Sequence, residues 1–164
     1  MWTGILAMMM ALPVIPMDPQ LGANSFTYTS TKRSDCRLVE QGPHSEIYQC
    51  PGFGGYGIRI EEHGHGSILS VTRGRQVLVE GPTMHWGEVS NKVAEWRHRR
   101  GPAGQEVYAL IFRMYCKGKI CPDGPGGLYV ARLTGGRACL IGTTTSNKRA
   151  RVIADDMRRP CMER

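Results

Sequence analysis

From about residue 36 to residue 142 the chain alternates short apolar runs with breaks rich in Gly and Pro, a pattern of short strands and turns rather than long helices. Cys36-Arg-Leu-Val-Glu40 and Glu46-Ile-Tyr-Gln-Cys50 read as two strands about a Gly42-Pro43 turn. In Tyr56-Gly-Ile-Arg-Ile-Glu61 the apolar residues Tyr56, Ile58 and Ile60 recur at period two, which sets them on one face of a half-buried strand. Ser67 to Thr72 and Gln76 to Glu80 form a hairpin about Arg73-Gly74-Arg75. Gly81 to Lys92 is irregular, and Val93-Ala-Glu-Trp-Arg-His-Arg99 reads as an edge-type strand dense in charge. Glu106 to Tyr115 holds the most apolar run of the body. Its Val, Tyr, Ile and Phe favour strand over helix and make it the central strand. Leu128 to Leu133 and Ala138 to Gly142 pair across Gly135-Gly136, and the polar stretch Ser25 to Ser34 is a lead-in strand or a loop.

The period changes near the C-terminus. Ser146 can cap a helix from Asn147 to about Arg159, with Ala150, Ile153, Ala154, Met157 and Cys161 on one face and Pro160 at its end. Lys148, Arg149 and Arg151 crowd its first turn, where the helix dipole disfavours cations, so contacts from outside the helix must hold it down. The predicted fold is mainly β: an antiparallel barrel or sandwich of about 7–8 short strands with one C-terminal helix.

Met1 to Met17 is uncharged and almost wholly apolar, and gives way to Pro19, Gly22 and Ala23. That is the shape of a secretory h-region and its cleavage region, so residues 1–23 are expected to be a signal peptide cut near Ala23, and residues 24–164 a single domain. The basic n-region usual in such a segment is missing before Ile5, and the competing reading is a buried N-terminal helix or strand. Pro13 and Pro16 interrupt the run, which is too short for a stable membrane span of about 20 residues. Export places the chain in the periplasm or outside the cell, where six cysteines become candidate disulfides. Proximity along the hairpins selects Cys36–Cys50, Cys116–Cys121 and Cys139–Cys161, the last stapling the helix to the final strand. No Cys-x2-Cys clip accompanies Cys116-x4-Cys121, and no metal or cofactor is expected.

The formal charge of +7 rises by one on loss of the leader, which carries Asp18 and no Lys or Arg. A basic surface attracts anions, and outside the cytoplasm anionic envelope polymers are its natural partners rather than nucleic acid. In Trp96-Arg-His-Arg-Arg100, alternation sets Trp96, His98 and Arg100 on one side and Arg97 and Arg99 on the other. The candidate anion-binding patch is Arg73, Arg75, Trp96, Arg97, Arg99, Arg100, Lys117 and Lys119. The competing reading is a charged edge strand that resists aggregation.

Other motifs carry less. Gly52-Phe-Gly-Gly-Tyr-Gly57 matches G-x-G-x-x-G, but a strand follows where a dinucleotide site needs a helix, so the glycines are read as a sharp bend or bulge. His63-Gly-His65 is read as a solvated turn. Glu61-Glu62-His63 is the one acid–base cluster, and neighbouring strand residues point to opposite faces. No nucleophile elbow or paired-carboxylate motif occurs, and no catalytic residue is assigned.

Tyr48-Gln-Cys-Pro-Gly-Phe-Gly-Gly-Tyr56 before a strand, Glu95-Trp-Arg97, and Ala138-Cys-Leu-Ile-Gly142 before a basic helix ending in Cys161 resemble a group of small exported bacterial proteins of uncharacterised activity. A Cys-Pro-Gly-aromatic-Gly-Gly segment and a Glu-Trp-Arg strand recur there in the same order. The resemblance covers about Lys32 to Cys161 and implies location and fold but no activity. Cys116 and Cys121 depart from the group. A fainter similarity to small exported β-barrel inhibitors of lysozyme lacks their inhibitory motif, and a basic chain is electrostatically ill-suited to a cationic lysozyme.

The expected function is an exported, envelope-associated, non-catalytic binding module for an anionic ligand or polymer. The alternatives are an inhibitor or accessory protein docking on an envelope enzyme, and a hydrolase with an unrecognised site around Glu61, Glu62 and His63.

Overall fold

The computed structural model describes residues 24–82, 84, 85, 87–116 and 126–163, with side chains for all of these except 84, 85 and 87–92. The expected signal peptide over residues 1–23, Lys117, Lys119 and Cys121 lie outside the described residues.

Every strand pairing is antiparallel, and the strands form two sheets. The first sheet runs β1 (Asn24–Ser30), β8 (Gly87–Gly101), β9 (Gly104–Cys116), β10 (Gly126–Thr134), β11 (Arg137–Thr144). The second runs β2 (Arg37–Gln41), β3 (Ser45–Phe53), β4 (Tyr56–His63), β5 (Gly66–Arg73), β6 (Gln76–Glu80), with the two-residue β7 (Met84–His85) paired to β5. The sheets do not close into a barrel, and a sandwich describes them. Eleven strands among the described residues replace the expected 7–8. Nine of them match the segments delimited in the sequence, themselves more than that total, and the other two are β1, which is polar, and β7, which lies in the stretch without a period.

The apolar alternation builds the layer between the sheets. Ile58, Ile60, Leu69 and Val71 from the second sheet meet Ala94, Trp96, Leu110, Phe112 and Met114 from the first. A second layer lies on the other face of the first sheet, where α1 (Asn147–Asp155) seats Ala150, Ile153 and Ala154 against Ala109, Ile111, Leu128, Val130 and Ile141. β9 is therefore buried on both faces, which explains why its sequence is a continuous apolar run rather than an alternating one. It is also the middle strand of its sheet, as predicted.

Two hairpins turn on glycine pairs. Gly54-Gly55 (φ 60° and 83°) joins β3 to β4, and Gly135-Gly136 (φ 57° and 82°) joins β10 to β11. Positive φ at both central residues is the type I′ requirement that matches strand twist. A register shift between Cys50 and Phe53 accompanies the first turn, in line with the bend or bulge read from its glycines.

α1 ends at Asp155, earlier than the expected Arg159. Asp156 leaves the helical region, its carboxylate accepts from Arg158 N–H at 3.1 Å, and a turn follows. Met157 is consequently exposed rather than part of the buried face. The external anchors that the dipole argument demands are present. Ser146 Oγ caps Arg149 N–H at 3.3 Å. Cys139 and Cys161 are joined, Met162 N–H bonds Leu140 O at 2.7 Å, and Arg159 Nε donates to Ile141 O at 2.6 Å. Cys36 and Cys50 are also joined, as expected. Cys116 is disulfide-bonded, and its expected partner Cys121 is outside the described residues.

Candidate functional site

The segment read as a charged edge strand is interior. β8 lies between β9 and β1, and all seven residues of β1 pair with it, from Asn24 opposite Arg99 to Ser30 opposite Val93. Alternation along β8 holds as predicted. Trp96 and His98 face the second sheet, and Glu95 and Arg97 face α1.

Trp96 is 0 % exposed, and its Nε1–H donates to Thr29 Oγ1 at 2.8 Å. Arg97 is 6 % exposed and grips Asp155 of α1 through Nε and Nη2, with contacts of 2.8 to 3.2 Å. Tyr108 O–H donates to the same carboxylate at 2.6 Å, and burial together with this bond pushes the phenol pKa up to about 12. A bulge aims that tyrosine: Arg97 opposes Ala109 and His98 opposes Val107, so Tyr108 is extra and turns toward the helix. Arg151 of α1 completes the network by pairing with the buried Glu95 at 2.9 Å and bonding Tyr28 O–H at 2.9 Å. Of the predicted ligand face, Arg97 thus fastens a helix to a sheet and Trp96 is sealed between the sheets.

The remaining predicted cations separate. Arg99 pairs with Glu106 at 2.9 Å, and Arg100 is exposed beside the β8–β9 turn. Arg73 and Arg75 are exposed at the β5–β6 turn, with the Arg73 guanidinium over the Tyr56 ring at 5.7 Å. Antiparallel pairing sets the β3–β4 and β5–β6 turns at one end of the second sheet and the β8–β9 and β10–β11 turns at one end of the first. Gly136 beside Arg73, with Phe53 beside His98, brings these ends together, so Arg73, Arg75 and Arg100 share one end of the sandwich.

Arg75 also belongs to a feature the sequence did not single out. A groove of about 1030 Å³ opens on the outer face of the second sheet, lined in part by Arg37, Gln49, Arg59, Thr72 and Arg75. Register explains the lining. Cys50, Ile58 and Val71 point into the core, so their neighbours Gln49, Arg59 and Thr72 point out, and Arg37 stands opposite Gln49. Gly57 keeps the floor low: a Cβ there would lie 2.6 Å from Gln49 Nε2 and 2.8 Å from Thr72 Oγ1. Among the described residues Arg37 and Arg75 make no ion pair, and Arg59 reaches Glu61 at 3.2 Å while its Nε is buried without a hydrogen bond. Glu40 is the one carboxylate lining the groove. With Arg59 answered by Glu61, the unpaired Arg37 and Arg75 against Glu40 still make a surface that attracts anions.

The acid–base cluster does not converge. Glu61 pairs with Arg59 and with His63 at 3.1 Å, whereas Glu62 lies 3.5 Å from Arg33. His63 and His65 flank Gly64 at the β4–β5 turn. No group of three or more potential metal ligands occurs among the described residues, and no described helix is long and apolar enough to cross a membrane.

His98 is buried beside the Phe53 ring at 5.1 Å, with Nε2 3.0 Å from Thr27 Oγ1 and Nδ1 2.8 Å from the Gln105 amide nitrogen. Burial holds its pKa below the ordinary imidazole value, a hydrogen bond to the Phe26 backbone opposes the shift, and the Arg97 charge adds to it. A lowered folded-state pKa means that the unfolded chain binds the proton more tightly. The contribution of His98 is therefore complete above about pH 6.5 and is lost as the pH falls from there toward the folded-state value. Urea midpoints should drop on acidification from about pH 7 to about pH 5, and His98→Gln should flatten that part of the profile. An unchanged slope in the variant would remove His98 from the explanation.

No protein-family model, curated protein or solved structure matches this chain.

Proposed function

We propose that this chain is an exported, non-catalytic binding module for an anionic component of the cell envelope, and that the outer-face groove is its binding surface. The observation that carries the reading is the charge of the groove, where Arg37, Arg59 and Arg75 outnumber Glu40 and the Glu61 that pairs with Arg59. Two of these guanidiniums have no ionic partner among the described residues, so an incoming anion need not displace one. Export is supported by the apolar leader and by two disulfides. Assignment to the envelope rests on the resemblance of the Cys50 to Gly55 and Glu95 to Arg97 segments to exported bacterial proteins.

Binding of isolated anionic envelope polymer should weaken steeply with salt, because each neutralised charge releases counterions. Arg37 and Arg75 are exposed, so the double variant Arg37→Gln/Arg75→Gln should fold normally and lose about tenfold or more in affinity. Binding that is indifferent both to salt and to this substitution would reject the groove and point to protein docking.

A further inference from the structure

We infer that the ligand of this groove is an extended acidic glycan in which carboxylate-bearing sugars alternate with neutral ones, lying across the strands of the second sheet. The inference rests on the anion-binding reading of the groove and adds the spacing of the charges.

Arg37, Gln49 and Arg59 stand in one cross-strand row, on β2, β3 and β4. Adjacent strands lie about 4.8 Å apart, so the two arginine positions are roughly 10 Å apart with a neutral amide between them. On β5 the row passes to Ser70; Thr72, two positions along, stands opposite Gly57 with its hydroxyl 3.5 Å from the Gln49 amide, and the lining leads from it to Arg75 at the β5–β6 turn. Neutral hydrogen-bonding side chains therefore space the cations of the groove, Gln49 between Arg37 and Arg59 and Thr72 on the side of Arg75. A chain charged at every unit would set unneutralised anions against Gln49 and Thr72, which costs desolvation without return. It would also pass Glu40 near the row's outer end, and like charges repel. A chain charged at alternate units meets each guanidinium with a carboxylate, whose two oxygens match the planar fork, and offers hydroxyls to the positions between.

Shape agrees with charge. The groove sits at the top of the usual range for small-ligand sites, about 300–1,000 Å³, so it holds a segment of chain rather than one sugar. Gly52, Gly55, Gly57 and Gly74 leave its backbone bare, and a flat ring can lie against a floor that any Cβ at Gly57 would raise.

The test titrates the oxidised full chain, at about 0.15 M salt, with three probes matched in total charge. These are hyaluronan oligosaccharides, in which uronate alternates with a neutral sugar; oligogalacturonate, charged at every sugar; and linear polyphosphate. The alternating glycan should bind about tenfold or more tightly than either of the others. Arg37→Gln and Arg75→Gln should each weaken it by about tenfold, the size expected when one charge-assisted hydrogen-bonded contact is lost. If oligogalacturonate or polyphosphate binds as well or better and Arg37→Gln weakens that binding, the groove takes anions but the alternating-glycan assignment is overturned. If none of the three binds, or if binding ignores both substitutions, the glycan assignment and the groove reading fall together.

Discussion

Asp155→Ala is expected to destabilise the protein by about 3 kcal/mol, a large share of the 5–15 kcal/mol typical of a domain. The loss does not come from the carboxylate's own packing, since its side chain is 30 % exposed. It comes from Arg97, whose side chain is 7 % exposed and would stay buried with only Glu95, at 3.5 Å, to answer its charge. Tyr108 would lose its acceptor in the same step. Because Asp155 ends α1, the local consequence is release of the helix and exposure of Ile111, Val130 and Ile141 beneath it. A urea midpoint measures the total, and hydrogen exchange at β9 to β11 shows where it falls. Replacing both partners by apolar residues, Arg97→Met with Asp155→Leu, should recover most of the stability, since no buried charge is then left alone. A single Asp155→Ala variant as stable as the parent would show that Arg97 is not desolvated as the packing implies.

The same network shows what was legible in the sequence and what was not. Period-two alternation placed Ile58 and Ile60 inward correctly, and the apolar run at Glu106 to Tyr115 marked the doubly covered β9. The unfavourable charge in the first turn of α1 signalled that the helix needs anchors, and Arg97, Glu95 and the Cys139–Cys161 bond supply them. β8 looked like an edge because β1 hides its identity. In β1 the threonines Thr27 and Thr29 face inward to bond His98 and Trp96, while Phe26 and Tyr28 face outward, each 49 % exposed. That inverted alternation carries no hydrophobic signal for a strand, so the partner that buries β8 could not be read. Arg97 was rightly set on the face opposite Trp96 and His98, but a helix contributed from 58 residues downstream covers that face. The groove was hidden for a related reason. Arg37, Arg59 and Arg75 come from β2, β4 and a turn, and only the register aligns them on one surface.

Trp96→Ala should be the most damaging single change, at about 3–5 kcal/mol for a fully buried aromatic. Trp96 lies 6.4 Å from the Tyr56 ring and belongs to the inter-sheet cluster, so truncation opens a cavity between layers that strand pairing keeps from collapsing. It also removes the indole N–H that holds Thr29, one of the two side-chain links from the inward face of β1. β1 is an edge strand with aromatic residues facing solvent, so detaching it exposes the flank of β8 and an unpaired strand edge, and aggregation should follow loss of stability. Trp96→Phe separates the two contributions. It keeps most of the ring packing and drops the hydrogen bond, so it should cost about 1–2 kcal/mol. It should also raise hydrogen exchange in β1 more than in β9, where protection depends on the layers on both sides. Equal loss of protection in the two strands would mean that the indole N–H does not tether β1, and that the penalty of Trp96→Ala is packing alone.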